Sequence, residues 1–388
     1  FMFFSKKSDD GTFWIEYNDF CKHYNKVYMC RMLDDLWTRH TVKSRWMDRT
    51  AGGCTNFISW RHNNQWLLNI SRDKTKLLIK LTQPDARKNA GHGRHYSNAI
   101  GFYMRRGNEQ PHDHKRRKLV LKDGDEEDGG DFVFVKEPRF SRQIIAEYTF
   151  EKASPTPYVI IPYLFEPGRE SLFKMSILSD DRDDDGKPDF EFNEVKPEED
   201  WKSTELLDAW SKGGAGNPRG EAASAGGPPT DEAGDELPWH SNAQFQIKLT
   251  RSSRCFVFLE LRDIDHDMRD VEGLQTEPDY PTVGIKVYEG RGDHVKLDGP
   301  EPPKLLQVAE PRRGDGTWIE LGQLDPSDKM YVVVPYTDMP GVEHKYVVTL
   351  YTDNEHKFEK INPSLNAADC IVCKSPTGLA RVLDKLGG

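Results

Sequence analysis

Two long segments of this chain repeat one another, and this repetition limits the fold more than any other feature of the sequence. The segment YVIIPYLFEPGRESLFKMSILSD at 158–180 aligns without gaps with YVVVPYTDMPGVEHKYVVTLYTD at 331–353. Upstream, WRHNNQW at 60–66 matches WHSNAQF at 239–245 in its Trp, Asn and Gln residues. Because the offset between the copies drifts only by loop-sized amounts, the chain contains a duplicated domain rather than a short solenoid repeat.

Each copy consists of short runs of β-branched and aromatic residues that are separated by turn residues. Examples are 75–82 and 142–150 in the first copy, and 282–288 and 346–351 in the second. Many short strands at regular spacing are typical of antiparallel sandwiches, and the long helical periodicity of an α/β enzyme is absent. The sequence therefore predicts a mainly β fold of two antiparallel β-sandwiches.

The stretch between the two copies has a different composition. Residues 180–200 hold eleven acidic residues against three basic ones, and 213–237 are dominated by Gly, Ala, Pro and acids. Such a segment has too little apolar side chain to offset the entropy of ordering it. We expect an acidic, flexible linker over 181–237, which contains one short capped helix over 203–210.

Composition and charge narrow the class of protein. No stretch of the 388 residues approaches the ~20 uninterrupted apolar residues of a membrane span. Six cysteines in this length do not make a disulfide scaffold, so we expect reduced thiols and a cytoplasmic location. The net charge of −10 argues against nucleic acid as a partner.

Several motifs of the first copy resemble the calpain family of papain-like cysteine proteases. DDGTFWIEYNDFCKHY at 9–24 is similar to the segment that closes the calpain protease domain. TAGGC at 50–54 looks like the entry to calpain domain III, and YVIIP at 158–162 with FEP at 165–167 looks like its ending. The resemblance implies a protease-domain remnant over 1–40, a domain III-type sandwich over 41–180 and a more divergent one over 238–388.

The protease chemistry of that family is missing from this sequence. Calpains cut proteins with a Cys nucleophile, a His base and an orienting Asn. The resemblance implies Q-x-x-x-D-C-W, G-H-A-Y and N-P-W-G settings for these three residues, and none of the settings occurs here. We therefore assign no catalytic residue, and the sequence leaves open whether the parent chain is a calpain-type endopeptidase.

Two acidic clusters are candidate Ca²⁺ sites. Asp181, Asp183 and Asp185 have the D-x-D-x-D-G spacing that places three carboxylates around one ion, with Gly186 at the turn. The twelfth position holds Phe192 where an EF-hand needs Glu, so a bare acidic linker is the alternative. Asp263, Asp265 and Asp267 follow a strand, as in calcium-binding sandwich loops, and form the weaker candidate.

Two charged runs lie close together in the first copy. Lys115 to Lys118 are all basic, and 123–131 are strongly acidic. We expect both runs to be solvated hairpin tips, with a docking or lipid surface as the alternative. The neighbouring His112-Asp113-His114 is also expected to be a solvated tip, with metal binding as its alternative. The Trp residues are expected to be core or interface anchors rather than ligand platforms.

Two functions remain open from the sequence. The first is a regulatory tail of a calpain-like cysteine protease, which binds protein partners or membrane surfaces and is tuned by Ca²⁺. The second is a structural adaptor of a large calpain-related protein in a cytoskeletal or ciliary (axonemal) assembly. The second is credible because the edges and loops of a sandwich can bind without catalytic constraints.

Overall fold

The computed structural model describes residues 14–27, 37–85, 96–125, 129–180, 185–213, 223–229, 239–262, 279–298 and 304–362. A short helix, α1 (Tyr17–His23), comes first. The strands of the first copy are β1 (Trp37–Trp46), β2 (Trp66–Ile70), β3 (Thr75–Thr82), β4 (Ile100–Arg106), β5 (Phe132–Arg139), β6 (Gln143–Phe150), β7 (Tyr158–Leu164), β8 (Ser171–Asp180) and β9 (Phe190–Glu194). Those of the second are β10 (Lys202–Trp210), β11 (Phe245–Leu249), β12 (Ser253–Leu261), β13 (Thr282–Glu289), β14 (Leu305–Arg313), β15 (Gly316–Leu324), β16 (Tyr331–Thr337), β17 (His344–Thr352) and β18 (His356–Lys360).

The two copies have the same strand order. The first is a four-stranded sheet, β1-β8-β3-β6, and a five-stranded sheet, β5-β4-β7-β2-β9. The second has β10-β17-β12-β15 and β14-β13-β16-β11-β18, which is the same order with every label raised by nine. The ladders between these strands are antiparallel, so the predicted mainly β fold of two antiparallel sandwiches is confirmed.

Alternation along the strands creates a core between the two sheets of each sandwich. Strand β3 is the clearest example, because Leu77, Ile79 and Leu81 are fully buried while the residues between them are half-exposed. The first core also contains Trp66 and Phe102, and the second core is built in the same way between its two sheets. Burying apolar side chains at every second position is what fixes the register of such strands.

A tryptophan at the end of the first strand links the two sheets of each sandwich. The indole of Trp46 donates to the carbonyl of Pro162 at 3.0 Å, and Trp210 donates to that of Pro335 at 3.4 Å. Proline has no N–H for a ladder, so it normally lies outside the middle of a sheet. Here β2 pairs with β7 only at Tyr158, Val159 and Ile160, so the nitrogen of Pro162 faces no ladder acceptor.

An asparagine clamps a Gly-Gly turn in both copies. The Asn63 side chain accepts from the Gly52 N–H at 2.9 Å and donates to the Gly53 carbonyl at 2.7 Å. Asn242 makes the same two hydrogen bonds to Gly226 and Gly227, at 2.9 and 2.7 Å. The second glycine of each pair has a left-handed φ, 75° and 70°, which glycine adopts without steric cost.

The short helix predicted over 203–210 is wrong, because these residues form β10. The strand pairs with β17 along its whole length, from Lys202 opposite Thr352 to Trp210 opposite His344. The Ser-Thr-Glu start satisfies a helix cap rule, but pairing with the long partner strand and burial of Trp210 outweigh this local preference.

Much of the segment assigned to the linker belongs to the sandwiches. Strand β9 lies inside the assigned linker and completes the five-stranded sheet of the first copy. Residues 223–229 pack into the second copy, where Ala225 is fully buried. The signal was in the sequence, because SAGGP at 224–228 is the counterpart of TAGGC at 50–54.

Helix α1 lies before the first sandwich and none of its residues is buried. Trp14 and Tyr17 are 88% and 77% exposed, and the rings of Phe20 and Tyr24 stack on each other at 4.9 Å. Across the described ranges, no helix has the length and apolar character that crossing a membrane requires.

We predict that the two asparagine clamps are of similar importance to their sandwiches. Asn63→Ala and Asn242→Ala each leave a buried N–H and a buried carbonyl unpaired, which should lower the free energy of unfolding by about 2–4 kcal/mol. Denaturant unfolding measures the change, with the exposed Asn193→Ala as the matched control. Equal stability of all three variants would contradict the clamp.

Candidate functional site at the joint between the two sandwiches

The two sandwiches meet across one face of the second copy. Along β12, Cys255, Val257 and Leu259 point into the second core. Phe256, Phe258 and Glu260 alternate with them, so they lie on the outer face of the sheet, yet all three are buried. They are covered by loops 49–62 and 113–120 of the first copy and by Trp201, which precedes β10. We call this contact the joint.

The centre of the joint is an aromatic cluster. It is formed by Leu119, Trp201, Phe256, Phe258 and Tyr351, with Ile58, Val120 and Trp318 packed around it. The Trp201 and Phe256 rings meet edge-on at 5.4 Å, and those of Phe258 and Tyr351 at 5.7 Å. Aromatic rings bury a large apolar area each, and this burial dominates the stability of an interface.

A buried charge cluster lies beside these rings. Glu260 of the second copy forms a salt bridge with Arg61 and accepts a hydrogen bond from His62 Nε2 at 2.7 Å. The side chains of Arg61, His62 and Glu260 are 0%, 3% and 4% exposed. The Arg61 guanidinium also lies 3.9 Å from the centre of the Phe258 ring, which places a cation on an aromatic face.

Burial and pairing set the protonation states of this cluster. Burial lowers the pKa of His62 from 6.5 to about 3, against the opposing effect of Glu260, so its imidazole is neutral and donates from Nε2. Burial alone would raise the pKa of Glu260, but the Arg61 guanidinium and the His62 hydrogen bond outweigh it and hold that pKa well below 4.5. Arg61 and Glu260 are therefore a desolvated ion pair at neutral pH.

Further polar contacts surround the cluster. Asp113 is fully buried and pairs with Arg116 of its own loop and with Arg254 of the second copy. Both guanidinium groups lie over the Trp201 ring, at 4.7 and 4.8 Å. On the other side, the Ile58 N–H donates to Asp315 at 2.7 Å. Burial raises the pKa of Asp315 to about 6, although this hydrogen bond opposes the rise.

A polar cavity of about 170 Å³ lies at the edge of the joint. Its lining includes Arg49, His62, Arg117, Asp200 and Tyr351. Its charges are internally paired, because Arg117 binds both oxygens of Asp200, at 3.0 Å from its backbone N–H and 2.5 Å from Nε, and Arg49 pairs with Glu205 and donates to Tyr351. The charged side chains that line the cavity therefore bind one another across the joint and do not offer unpaired charge to a ligand.

The described cysteines do not provide a nucleophile at the joint. Cys54 and Cys255 are buried, and burial raises the pKa of both thiols, that of Cys255 to about 12. Cys21 is exposed and lies on α1. A thiolate is the reactive form of cysteine, so neither buried thiol is suited to attack a substrate. The chemistry of the joint is recognition between two surfaces.

Most candidate Ca²⁺ ligands lie outside the described residues. This holds for Asp181, Asp183, Asp263, Asp265 and Asp267. Asp185 is described and exposed, and its Oδ1 accepts a hydrogen bond from the Lys187 N–H at 2.8 Å. The Ca²⁺ assignment stays a prediction.

The expectation of solvated tips is wrong at Asp113 and over 116–118, whereas His112 and Lys115 are exposed as expected. Asp113 and Lys118 are buried, Arg116 and Arg117 are half-buried in or beside the joint, and Lys118 pairs with Asp131 at 2.7 Å. The sequence did contain a signal for the joint. CFVFLEL at 255–261 is apolar on both faces of a strand, which indicates a strand covered on both sides, and Glu260 is the single charge within it.

Comparison with known proteins shows what the first sandwich is similar to. Residues 37–178 match the family model of the calpain large subunit, domain III. The serine/threonine-protein kinase 4 homolog B of Dictyostelium discoideum is 30% identical over 228 residues, which are 58% of this chain and 18% of that protein. The calpain-type cysteine protease ADL1 of rice (Oryza sativa subsp. japonica) is 29% identical over 187 residues, 45% of this chain and 8% of that protein. The calpain-2 catalytic subunit of Bos taurus is 25% identical over 205 residues, 46% of this chain and 28% of that protein.

The first sandwich is similar to calpain domain III, and the resemblance of the chain to the calpain family is confirmed. The chain spans less than a third of the length of each of these three relatives.

Glu260→Gln should weaken the joint strongly. The substitution keeps the shape of the side chain but leaves the Arg61 cation buried without its anion, which should lower the free energy of unfolding by about 3–5 kcal/mol. Denaturant unfolding measures the loss. Glu320→Gln, at an exposed position in the same sheet, is the matched control and should have little effect. A Glu260→Gln protein as stable as the control would contradict the ion pair.

The pH dependence of stability should report His62. The unfolded chain binds a proton at His62 with a pKa near 6.5, whereas the folded chain does so only near 3, so acidification favours the unfolded state between these values. His62→Gln keeps an amide donor for Glu260 and removes this titration. Wild type should therefore lose stability relative to His62→Gln as pH falls from about 6.5 towards 3. Asp315 titrates in both proteins, so its effect cancels in the difference, and parallel pH profiles would rule out a buried neutral His62.

Proposed function

We propose that this chain is a non-catalytic regulatory and docking tail of a calpain-like cysteine protease, and that its two sandwiches act as one rigid arm. The domain III match supports the protease context, as do the relatives named as a calpain-type cysteine protease and a calpain catalytic subunit. The joint supports the rigid arm, because a buried ion pair tolerates few relative orientations of the two sandwiches.

The observation that carries the docking role is a difference between equivalent faces of the two copies. The four-stranded sheet of the second copy buries its outer face in the joint. The register of the strands makes Lys80 of the first copy equivalent to Phe258, and Lys174 equivalent to Val347. Where the second copy has the buried apolar residues Phe258 and Val347, the first has the half-buried cations Lys80 and Lys174.

This face of the first copy, which we call the basic face, has an unbalanced charge. Six cations lie on it against two anions, in a chain whose net charge is −10. The cations are Arg39, Lys43, Arg45, Lys76, Lys80 and Lys174, and the anions are Glu147 and Asp180. Lys43 and Lys174 lie directly opposite each other on neighbouring strands, a pairing that destabilises a sheet. A cost of this kind is consistent with a face that serves an anionic partner.

We propose that the partner is the acidic surface of a folded protein domain. The equivalent face of the second copy receives the loops of a protein domain, namely the one that precedes its first strand. Helix α1 precedes β1 and carries exposed aromatic side chains. Exposed aromatic side chains of this kind are suited to contact with a further protein domain. An anionic membrane surface is the competing partner.

The proposal also includes the cytoplasmic location and the tuning by Ca²⁺ that the sequence suggests. The Ca²⁺ component depends on the aspartates at 181–185, which directly follow Asp180 of the basic face, and on those at 263–267. Docking through the basic face does not require it.

A structural adaptor in a cytoskeletal or ciliary assembly is the second candidate. One observation favours it: a protein named as a kinase matches over 228 residues, more than the 142 residues over which the domain III model extends here. A similar module thus occurs in a protein whose name describes different chemistry. Fluorogenic-peptide cleavage by the full-length protein separates the candidates, because no cleavage with or without Ca²⁺ favours the adaptor.

Charge reversal tests the docking proposal. The double variant Lys43→Glu/Lys174→Glu should weaken binding of a fluorescein-labelled poly-L-glutamate peptide by about 10-fold or more in an anisotropy titration at low salt. Arg312→Glu/Arg313→Glu on β14 makes the same change of charge at exposed positions of the second copy, and should weaken binding much less.

Two outcomes would contradict the docking proposal. One is an equal loss in both double variants, which would mean that only net charge matters. The other is binding of phosphatidylserine vesicles through the basic face without binding of the acidic peptide, which would favour the membrane.

The single variant Lys43→Glu should also raise the unfolding temperature, because it replaces a like-charge pair with an opposite one.

A further inference from the structure

A cluster of metal-ligating side chains lies on the second sandwich, away from the joint. Asp293 and His294 are in the loop after β13, and Glu359 is on β18. One ligand atom from each of the three lies within 4.8 Å of the other two. Two carboxylates and one imidazole at this spacing can reach a single ion with small changes of side-chain torsion.

The amide of Gln246 holds the two carboxylates together. Its Nε2 donates to Asp293 Oδ1 at 3.0 Å and to Glu359 Oε1 at 2.9 Å. Its Oε1 accepts from the His294 N–H at 2.8 Å, so the hydrogen bonds fix the orientation of the amide. Two anions therefore converge on one neutral group, and Lys248 Nζ, at 3.3 Å from Asp293 Oδ2, is the nearby cation.

The fold does not require this arrangement. On β11, Gln246 lies opposite Glu359, and at the equivalent place in the first copy Leu67 of β2 lies opposite Asn193 of β9. The first copy forms the same sheet with an apolar residue and an amide. The carboxylates and the histidine are thus a feature of the second copy alone, added to a framework that folds without them.

His294 is incompletely satisfied where it lies. Its Nδ1 is buried and has no hydrogen-bond partner, and its Nε2 lies 3.5 Å from Glu359 Oε1, which is too long for a good hydrogen bond. Its side chain is 17% exposed, so the imidazole is held against the protein rather than extended into solvent. An imidazole in this position has a lone pair available for an ion that enters from the exposed side of Asp293.

We propose that Asp293, His294 and Glu359 form a binding site for a divalent transition-metal ion, with Zn²⁺ as the ion of choice. Imidazole together with carboxylates suits zinc, whereas Ca²⁺ takes six to eight oxygen ligands. The three side chains leave a fourth position for water, and Lys248 competes with the ion for Asp293. A bound ion links the loop after β13 to β18 and so stabilises the second sandwich.

Calorimetric titration of the whole chain with ZnCl₂ tests this site. His294→Ala and Glu359→Gln should each weaken zinc binding by about 10-fold or more, because each removes one of three protein ligands. Lys248→Met should tighten it, since the competing ammonium is lost. A parallel titration with CaCl₂ should show no difference between wild type and these variants.

Thermal unfolding in EDTA provides the control for folding, and all variants should unfold within a few degrees of wild type there. Zinc should then raise the unfolding temperature of wild type but not that of His294→Ala. The inference is overturned if zinc produces no heat with wild type. It is equally overturned if wild type and both ligand variants bind zinc with the same affinity, since the ion would then lie on other histidines or cysteines.

Discussion

The ion pair between Glu260 and Arg61, with His62 as a second donor, is the interaction on which the arrangement of the two sandwiches depends. Glu260 is the single charged residue in a strand segment that is otherwise apolar on both faces. A buried ion pair contributes little net stability compared with apolar residues of the same size, because both charges lose their hydration. Its effect is instead on specificity, since any other docking of β12 on the first copy would leave a buried charge without its partner.

The same duplicated framework has been used for two different purposes. Both copies keep the tryptophan at the end of the first strand, the asparagine clamp and the strand order. They differ on the outer faces of their four-stranded sheets, where burial in the joint accompanies aromatic residues and exposure accompanies lysine and arginine. Features that hold a sandwich together are constrained by its core, whereas an outer face is free to follow whatever it contacts.

The sequence predicted the fold from features that the core dictates. The repeated YVIIP and YVVVP segments are the central strands β7 and β16, and their continuous apolar character reflects burial on both faces of the sheet. The helix over 203–210 failed because the eight residues STELLDAW satisfy local helix rules, while β17, more than a hundred residues away in sequence, decides their conformation. The predicted linker is too long for a related reason: the small residues SAGGP look disordered in isolation and are ordered by Asn242.

The joint could be predicted only in part. An apolar strand with one glutamate indicates a covered face, but the covering residues come from loops whose basic and acidic side chains look solvated in the sequence. Asp113 and Lys118 are examples, because each is buried with a partner that lies far away in sequence or across a hairpin. The cluster at Asp293, His294 and Glu359 was missed for the same reason, since strand pairing brings residues together that are 65 positions apart.

Residual dipolar couplings of backbone amides, measured in a weakly aligned sample of the whole chain, test the central claim most directly. If the buried ion pair holds the sandwiches as one body, couplings from both copies should fit the structure with a single alignment tensor. Two tensors that differ in magnitude or orientation would mean that the sandwiches move independently, and the account of the joint would then be wrong.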